Sequence, residues 1–167
     1  NSRMQAVLEY SAMAQFNTKE EFMEGNLFDF IEEYAMNILN RSDRLKVQVV
    51  RSDTEGIEMK FVPQNIAIIL DNVVSNSTKY NANELRVLLG KDEKQYTIDF
   101  IDDGDGVRSD IADLNELFEF GKGYTLTGTG VGLYHIKDIV EKDLQGTVTI
   151  ESEPQKGFAL HVRFGKV

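Results

Sequence analysis

The sequence predicts a layered α/β domain, with a mixed sheet on one side and helices on the other. Three observations predict it. Apolar residues recur at helical spacing in several separate segments, short runs alternate apolar with polar residues, and polar turns containing Gly or Asp divide one from the next. The chain has 167 residues, 41% of them hydrophobic and 28% charged. These are ordinary proportions for one globular domain whose core is large enough to need no staples.

The elements follow in order. Residues 3–16, RMQAVLEYSAMAQF, set Met4, Val7, Leu8, Ser11, Ala12 and Ala14 at near-helical spacing. They read as the end of an amphipathic helix with little to pack on in its own segment. The polar stretch NTKEEFMEGN breaks it, so the boundary is placed near residue 22: residues 1–21 are a helix tail or linker, and residues 22–167 are the domain. A helix over about 27–40 follows, with Leu27, Phe30, Ile31, Tyr34, Ala35 and Ile38 on one face. LKVQVVR and GIEMKFV read as strands, with turn chemistry at Asp53–Gly56 between them. Pro63 opens the next helix, where its missing N–H costs nothing, and that helix runs to about Tyr80. NELRVLLG and QYTIDFIDD are two more strands joined by KDEK. SDIADLNELF reads as a short helix with Ser109 or Asp110 as its N-cap. A glycine-rich loop over 121–130 leads into a helix over 131–144 with Leu133, Ile136, Ile139 and Val140 on its face. Two alternating strands, GTVTIES and GFALHVRF, close the chain around a turn at PQK.

Composition excludes several functions. There is no cysteine, so disulfides and thiolate metal sites are ruled out. A formal charge of −10 argues against nonspecific nucleic-acid binding, which needs a basic footprint. No apolar run approaches the about 20 residues of a membrane span, and the amino terminus shows no apolar signal-peptide core.

Three stretches carry chemistry. In DNVVSNSTKY, residues 71–80, Asn72, Asn76 and Lys79 share one helix face beside the apolar stripe Ile66, Ile69, Leu70, Val73 and Ser77. Two readings of that polar stripe stand: a helix-end capping network, or a site where an amide oxygen holds a hard cation and an ammonium meets phosphate. DDGDGV, residues 102–107, ends a strand, and its two glycines let the backbone turn tightly against a ligand or simply turn. GTGVGL, residues 128–133, opens a helix whose bare amides suit an anion. It lacks the G-K-[ST] ending of a Walker loop and the spacing of a dinucleotide fingerprint. The two histidines, His135 and His161, both read as structural.

The order N-x-x-x-N-x-x-K-Y, D-x-G-x-G, the Phe-rich LFEFGKG and G-x-G-x-G resembles the nucleotide-binding domain of the GHKL ATPase superfamily, most of all the catalytic domain of sensor histidine kinases. The resemblance covers residues from about 22 to 165 and implies a two-layer Bergerat-type sandwich with a mixed, mostly antiparallel sheet and helices on one face. It implies that Asn76 holds Mg²⁺ and that Asn72, one turn earlier, supports the metal and phosphates. Lys79 would pair with a phosphate and Tyr80 pack near the nucleotide. Asp102 would accept from the adenine amine, with Gly104 and Gly106 letting the chain pass under the base. Gly128, Gly130 and Gly132 would present amides to the phosphates, with Val131 and Leu133 in the same box. Lys122 and the hydroxyls of Thr125, Thr127 and Thr129 would reach the phosphates from a lid.

Three positions depart from the pattern: Ser77 stands where a small Ala is expected, Asp105 where a proline is usual, and the lid between Phe120 and Gly128 is short. The superfamily's hydrolases carry a water-activating glutamate four residues before the magnesium asparagine; here that position is Asn72, an amide that takes no proton as a carboxylate does. Asp71 is rotated about 100° from it on the helix and does not substitute. The resemblance thus implies slow ATP hydrolysis and transfer of the γ-phosphoryl group to a histidine on a dimerisation helix. That helix would lie upstream, with residues 3–16 as its tail or packed back on the domain. The implied partners are ATP, that histidine-bearing helix of the same or a partner subunit, and a response regulator. The implied setting is a cytoplasmic domain of a homodimeric protein that can be anchored in a membrane elsewhere. The alternatives are an ATPase or serine kinase of the superfamily outside two-component signalling, and a nucleotide-sensing pseudokinase.

Overall fold

A computed structural model of the chain describes residues 21–41, 44–107, 109–111, 113–119 and 132–167. The helix expected over 3–16 and the glycine-rich loop over 121–130 lie outside the described residues. Strand β1 (Met23–Asn26) leads directly into helix α1 (Leu27–Asn37). Strands β2 (Lys46–Arg51) and β3 (Glu58–Phe61) precede helix α2 (Pro63–Lys79). Strands β4 (Glu84–Lys91) and β5 (Tyr96–Asp102), a short 3₁₀ turn (Leu114–Phe118), helix α3 (Gly132–Asp143) and strands β6 (Thr147–Ser152) and β7 (Phe158–Phe164) complete the order.

The main sheet has the order β2-β4-β5-β7-β6. Its β2–β4 pair is parallel and its other pairs are antiparallel, so the sheet is mixed and mostly antiparallel. The parallel pair needs a crossover, and β3 with α2 supplies it. The two strands expected on either side of Asp53–Gly56 are both present. The turn is there, with Asp53 carboxylate oxygens accepting from the Glu55 and Gly56 amides at 3.3 and 3.1 Å. The strands it joins do not pair with each other: β3 instead pairs antiparallel with β1, in a separate two-stranded sheet. MEGN lies in the stretch that the sequence marks as a polar break and has no alternating pattern, yet it forms a strand by pairing with β3.

The core lies between the main sheet and the helices. Alternation along the strands aims Leu85, Val87 and Leu89 of β4, Ile98 and Phe100 of β5, and Leu160, Val162 and Phe164 of β7 inward, all buried. From the other layer come Leu27, Phe28 and Ile31 of α1, Ile66, Ile69, Leu70 and Val73 of α2, and Ile136, Ile139 and Val140 of α3. The helical faces are those the 3.6-residue spacing predicts. Within the helical layer, the buried Tyr34 hydroxyl on α1 donates to Asp71 Oδ1 on α2 at 2.8 Å.

Helix ends are set by local chemistry. Asn26 caps α1, its side-chain oxygen accepting from the Asp29 amide at 3.1 Å. α2 stops where Asn81 takes a φ of 63°, a left-handed conformation that Asn tolerates. The short helix after β5 differs from expectation. It is a 3₁₀ turn beginning at Leu114, and its cap is Asp113, whose side chain accepts from Asn115 N at 3.0 Å, rather than Ser109 or Asp110. Asp113 lies immediately before the apolar Leu114, where the side chain can reach the free amides of the first turn.

The outer sheet face is polar. His161 Nδ1 lies 2.6 Å from Asp99 Oδ1, which also accepts from Arg163 at 2.8 Å. His161 thus sits in a cross-strand charge cluster. His135 is exposed on α3, its ring beside Tyr134. No helix among the described residues is long and apolar enough to cross a membrane.

Leu160 is 1% exposed and sits on β7, between β5 and β6. Replacing Leu160 by Ala is expected to cost about 2–5 kcal/mol of folding free energy, read from urea denaturation; a loss below about 1 kcal/mol would show that this layer is not tightly packed.

Candidate functional site

Asp102 is the last residue of β5 and continues the inward series Ile98, Phe100. Alternation therefore drives a carboxylate into the core side of the sheet, where it is only 7% exposed. An unpaired charge there would be costly. Donors meet it: Ser77 Oγ of α2 donates to Oδ2 at 2.7 Å, and the Gly104 amide donates to Oδ1 at 2.9 Å. Burial pushes the Asp102 carboxyl pKa above its ordinary value, while hydrogen bonds from the Gly104 amide, the Ser77 hydroxyl and the Phe158 amide pull it back.

Around this pair lies a narrow crevice. Val73, Asn76 and Ser77 of α2 line one wall, Leu133 of α3 closes another, and Phe100, Asp102 and Phe158 come from the sheet. The helical stripe of α2 thus meets the strand end of β5 and the start of α3 in one place. Among the described residues no hydrogen bond ties down the Asn76 amide, so its oxygen, a hard ligand, remains available to a cation. Asn72, one turn earlier, donates through Nδ2 to the Ile68 carbonyl at 2.9 Å. Its Oδ1 points at α3: a methyl group built on Gly132 would stand 3.1 Å from that oxygen. The polar stripe therefore divides, Asn72 being partly absorbed by its own helix as the capping reading has it, and Asn76 facing the crevice.

The loop after Asp102 is pinned on several sides. Asp103 Oδ1 accepts from the Asn83 and Glu84 amides at 2.8 and 2.9 Å, and the hydrogen bond to Glu84 above all holds its carboxyl pKa below the usual range. The Asp105 amide donates to the Tyr80 carbonyl at 2.7 Å. A proline at 105 has no N–H and could not make that bond, which accounts physically for one departure from the expected pattern. Gly104 packs on the same carbonyl: a Cβ there would fall 2.6 Å from Tyr80 O. Gly106 has a φ of 72°, and a Cβ on it would run into the Glu153 carbonyl. Both glycines are required by close backbone approach.

Of the residues expected at a site, Asn76, Asp102 and Leu133 line one crevice, Asn72 and Gly132 touch at its edge, and Gly104 and Gly106 shape the adjoining loop. Lys79 is exposed at the end of α2, and Tyr80 caps that helix; neither lines the crevice. Lys122, Thr125, Thr127, Gly128, Thr129, Gly130 and Val131 lie outside the described residues. Sequence reasoning missed Phe158 as a wall of the crevice. Its only signal is its place opposite Asp102 in the β5–β7 register, which needs the strand pairing. Ser77 was visible only as an unexpected hydroxyl on an apolar stripe.

This α/β sandwich matches the fold of histidine kinase catalytic domains. The catalytic domain of histidine kinase ThkA superposes with a TM-score of 0.69 at 19% identity, over 87% of this chain and 96% of that one. The ATP-binding domain of PrrB from Mycobacterium tuberculosis gives 0.68 at 19% identity, over 89% and 99%. The Acinetobacter baumannii histidine kinase AdeS gives 0.63 at 16% identity, over 98% of this chain and 76% of that one. At such identities the likeness is one of fold. Residues 61–166 match the family described as histidine kinase-, DNA gyrase B- and HSP90-like ATPases, and the chain belongs to that family. A search of curated proteins returns no match.

Two outcomes are expected. A carboxyl whose folded pKa is raised adds stability below its unfolded pKa and loses it as pH rises through the folded value. Ionised Asp102 is then a liability at neutral pH, and Asn at 102 keeps the Gly104 bond while Ser77 turns to accept. Asp102→Asn should melt at or above the unmutated temperature at pH 7, with that advantage shrinking toward pH 4; a much lower melting point at pH 7 would contradict it. Gly104→Ala should cost about 1–3 kcal/mol, measured by denaturation, through displacement of the Tyr80 carbonyl; a neutral result would mean the loop yields freely.

Proposed function

We propose that this chain is the catalytic domain of a two-component sensor histidine kinase, which binds ATP with Mg²⁺ and passes the γ-phosphoryl group to a histidine on a dimerisation helix of the same or a partner subunit. A phosphorus–oxygen bond of ATP breaks, a phosphorus–nitrogen bond to the imidazole forms, and ADP leaves. The phosphohistidine then serves a response regulator. The reading assigns the domain to the cytoplasm of a homodimer.

The observation that carries it is the meeting of Asn76 and Asp102 in one crevice with Leu133, the residue that ends GTGVGL. Family membership makes ATP the expected ligand. In this reading Asp102 offers acceptors to the exocyclic amine of adenine, and Phe158, Val73 and Leu133 supply apolar walls for the base. Asn76 fits Mg²⁺ through its uncommitted amide oxygen; the ion, when bound, neutralises phosphate charge. Lys79 is a cation on a flexible stem at the same end of α2, suited to a phosphate oxygen. Asn72 stands where the family's hydrolases place a carboxylate. Lacking a group that takes the proton of water, the domain favours an acceptor other than water. Positioning and charge neutralisation supply most of the acceleration.

Calorimetry and phosphotransfer test this. The protein is expected to bind ATP with Mg²⁺, to hydrolyse it slowly, and to label a histidine-bearing helix from γ-labelled ATP; fast hydrolysis with no labelled histidine would overturn the kinase reading. Asp102→Asn should weaken ATP at least about tenfold, since it swaps a pure acceptor for an amide. Asn76→Ala should abolish the effect of Mg²⁺ on affinity. Because burial raises the Asp102 pKa, ATP affinity should already fall at a pH where an ordinary carboxylate is still ionised; an affinity that is flat down to pH 4 would remove Asp102 from base recognition.

A further inference from the structure

One of the positions that depart from the expected pattern, Ser77, touches the carboxylate assigned to base reading. Ser77 is 1% exposed and lies on the inward stripe of α2. A hydroxyl buried in a helix usually bonds back to a carbonyl of its own preceding turn, as Thr78 does with Val74 O at 2.9 Å. Ser77 instead points across the crevice and donates to Asp102 Oδ2 at 2.7 Å. A hydroxyl has one proton, and here it is committed. Its lone pairs, and the remaining acceptor capacity of the carboxylate, are what that part of the crevice can present. With Asp102 ionised, the Ser77–Asp102 pair offers acceptors only. A 6-amino purine brings donors to such a pair; a 6-oxo purine brings a carbonyl oxygen against it, leaving polar atoms unpaired, the kind of mismatch that discriminates strongly.

We propose that Ser77 is a positioning residue for base selection: its hydroxyl clamps Asp102 in the ionised, acceptor-only form and thereby sets the preference for 6-amino over 6-oxo purine nucleotides. The proposal rests on the nucleotide-binding reading above and adds the residue that governs its base contact. Alanine at 77 removes one of the hydrogen bonds that favour the charged carboxylate while burial continues to oppose it. The carboxyl then protonates at higher pH and becomes a donor, which a 6-oxo group accepts.

The test uses the whole chain and Ser77→Ala, a substitution that a helix accommodates. The Asp102 carboxyl is titrated by carbon NMR without nucleotide, and ATP and inosine triphosphate affinities are measured from pH 4.5 to 8. In Ser77→Ala the Asp102 midpoint should rise by about one pH unit, the scale of one charge-assisted hydrogen bond. The pH at which ATP affinity is half lost should rise with it, and the ATP-to-inosine-triphosphate preference should drop about tenfold between the two midpoints. A folded Ser77→Ala protein with an unmoved Asp102 midpoint overturns the clamp by itself. A moved midpoint with an unchanged nucleotide preference overturns the selective role. If the unmutated protein binds neither nucleotide, the proposed function fails, and base selection with it.

Discussion

The candidate site depends on one buried carboxylate and the donors that meet it. Asp102 occupies an inward position because β5 alternates, and a strand cannot turn one side chain outward without a bulge. The charge is therefore driven into the interior by the same pleat that buries Phe100 and Ile98. Burying it alone would cost several kcal/mol. Ser77 from α2 and the Gly104 amide from the following loop offset that cost at 2.7 and 2.9 Å. Helix and strand must keep their relative height for the Ser77 bond to exist, so this polar contact helps to register the two layers.

That requirement spreads outward. α2 must end within one turn of Ser77, because Gly104 packs against the Tyr80 carbonyl and Asp105 donates to it. Asn81 ends the helix there by entering the left-handed region, and the chain returns at once as β4, which pairs with β5 along its length. The far side of the loop is held by Ser152, whose hydroxyl accepts from the Val107 amide and donates to the Gly157 carbonyl. Helix end, strand end and hairpin thus converge on one loop, and few of these bonds use side chains that line the crevice. Scaffold and crevice lining are consequently separable: the backbone carries the geometry, and a handful of side chains, among them Asn76, Asp102, Leu133 and Phe158, line the crevice.

The outer face of the sheet illustrates the same separation. Asp99, His161 and Arg163 form a cross-strand cluster one residue out of phase with Phe100, Leu160 and Val162. Its polar groups pair with one another across strands rather than with anything at the crevice, so the sheet packs on one face and meets solvent on the other.

Periodicity alone told where the helices and most strands lie, because the 3.6- and 2-residue repeats are written in the order of residues and need no partner to be read. The identities in DNVVSNSTKY, DDGDGV and GTGVGL likewise announced amides, a carboxylate and bare backbone in a fixed order along the chain. Pairing is another matter. MEGN became a strand, β3 turned away from β2 toward β1, and the cap of the 3₁₀ turn moved to Asp113, each through neighbours distant in sequence or through local geometry that no pattern encodes. So it was with Ser77: along the chain it is a stray hydroxyl on an apolar stripe, and it acquires meaning when folding brings Asp102 within hydrogen-bond reach across the crevice. Local propensity reads from the chain because it acts between near neighbours; the site does not, because its contacts exist only after two layers have packed.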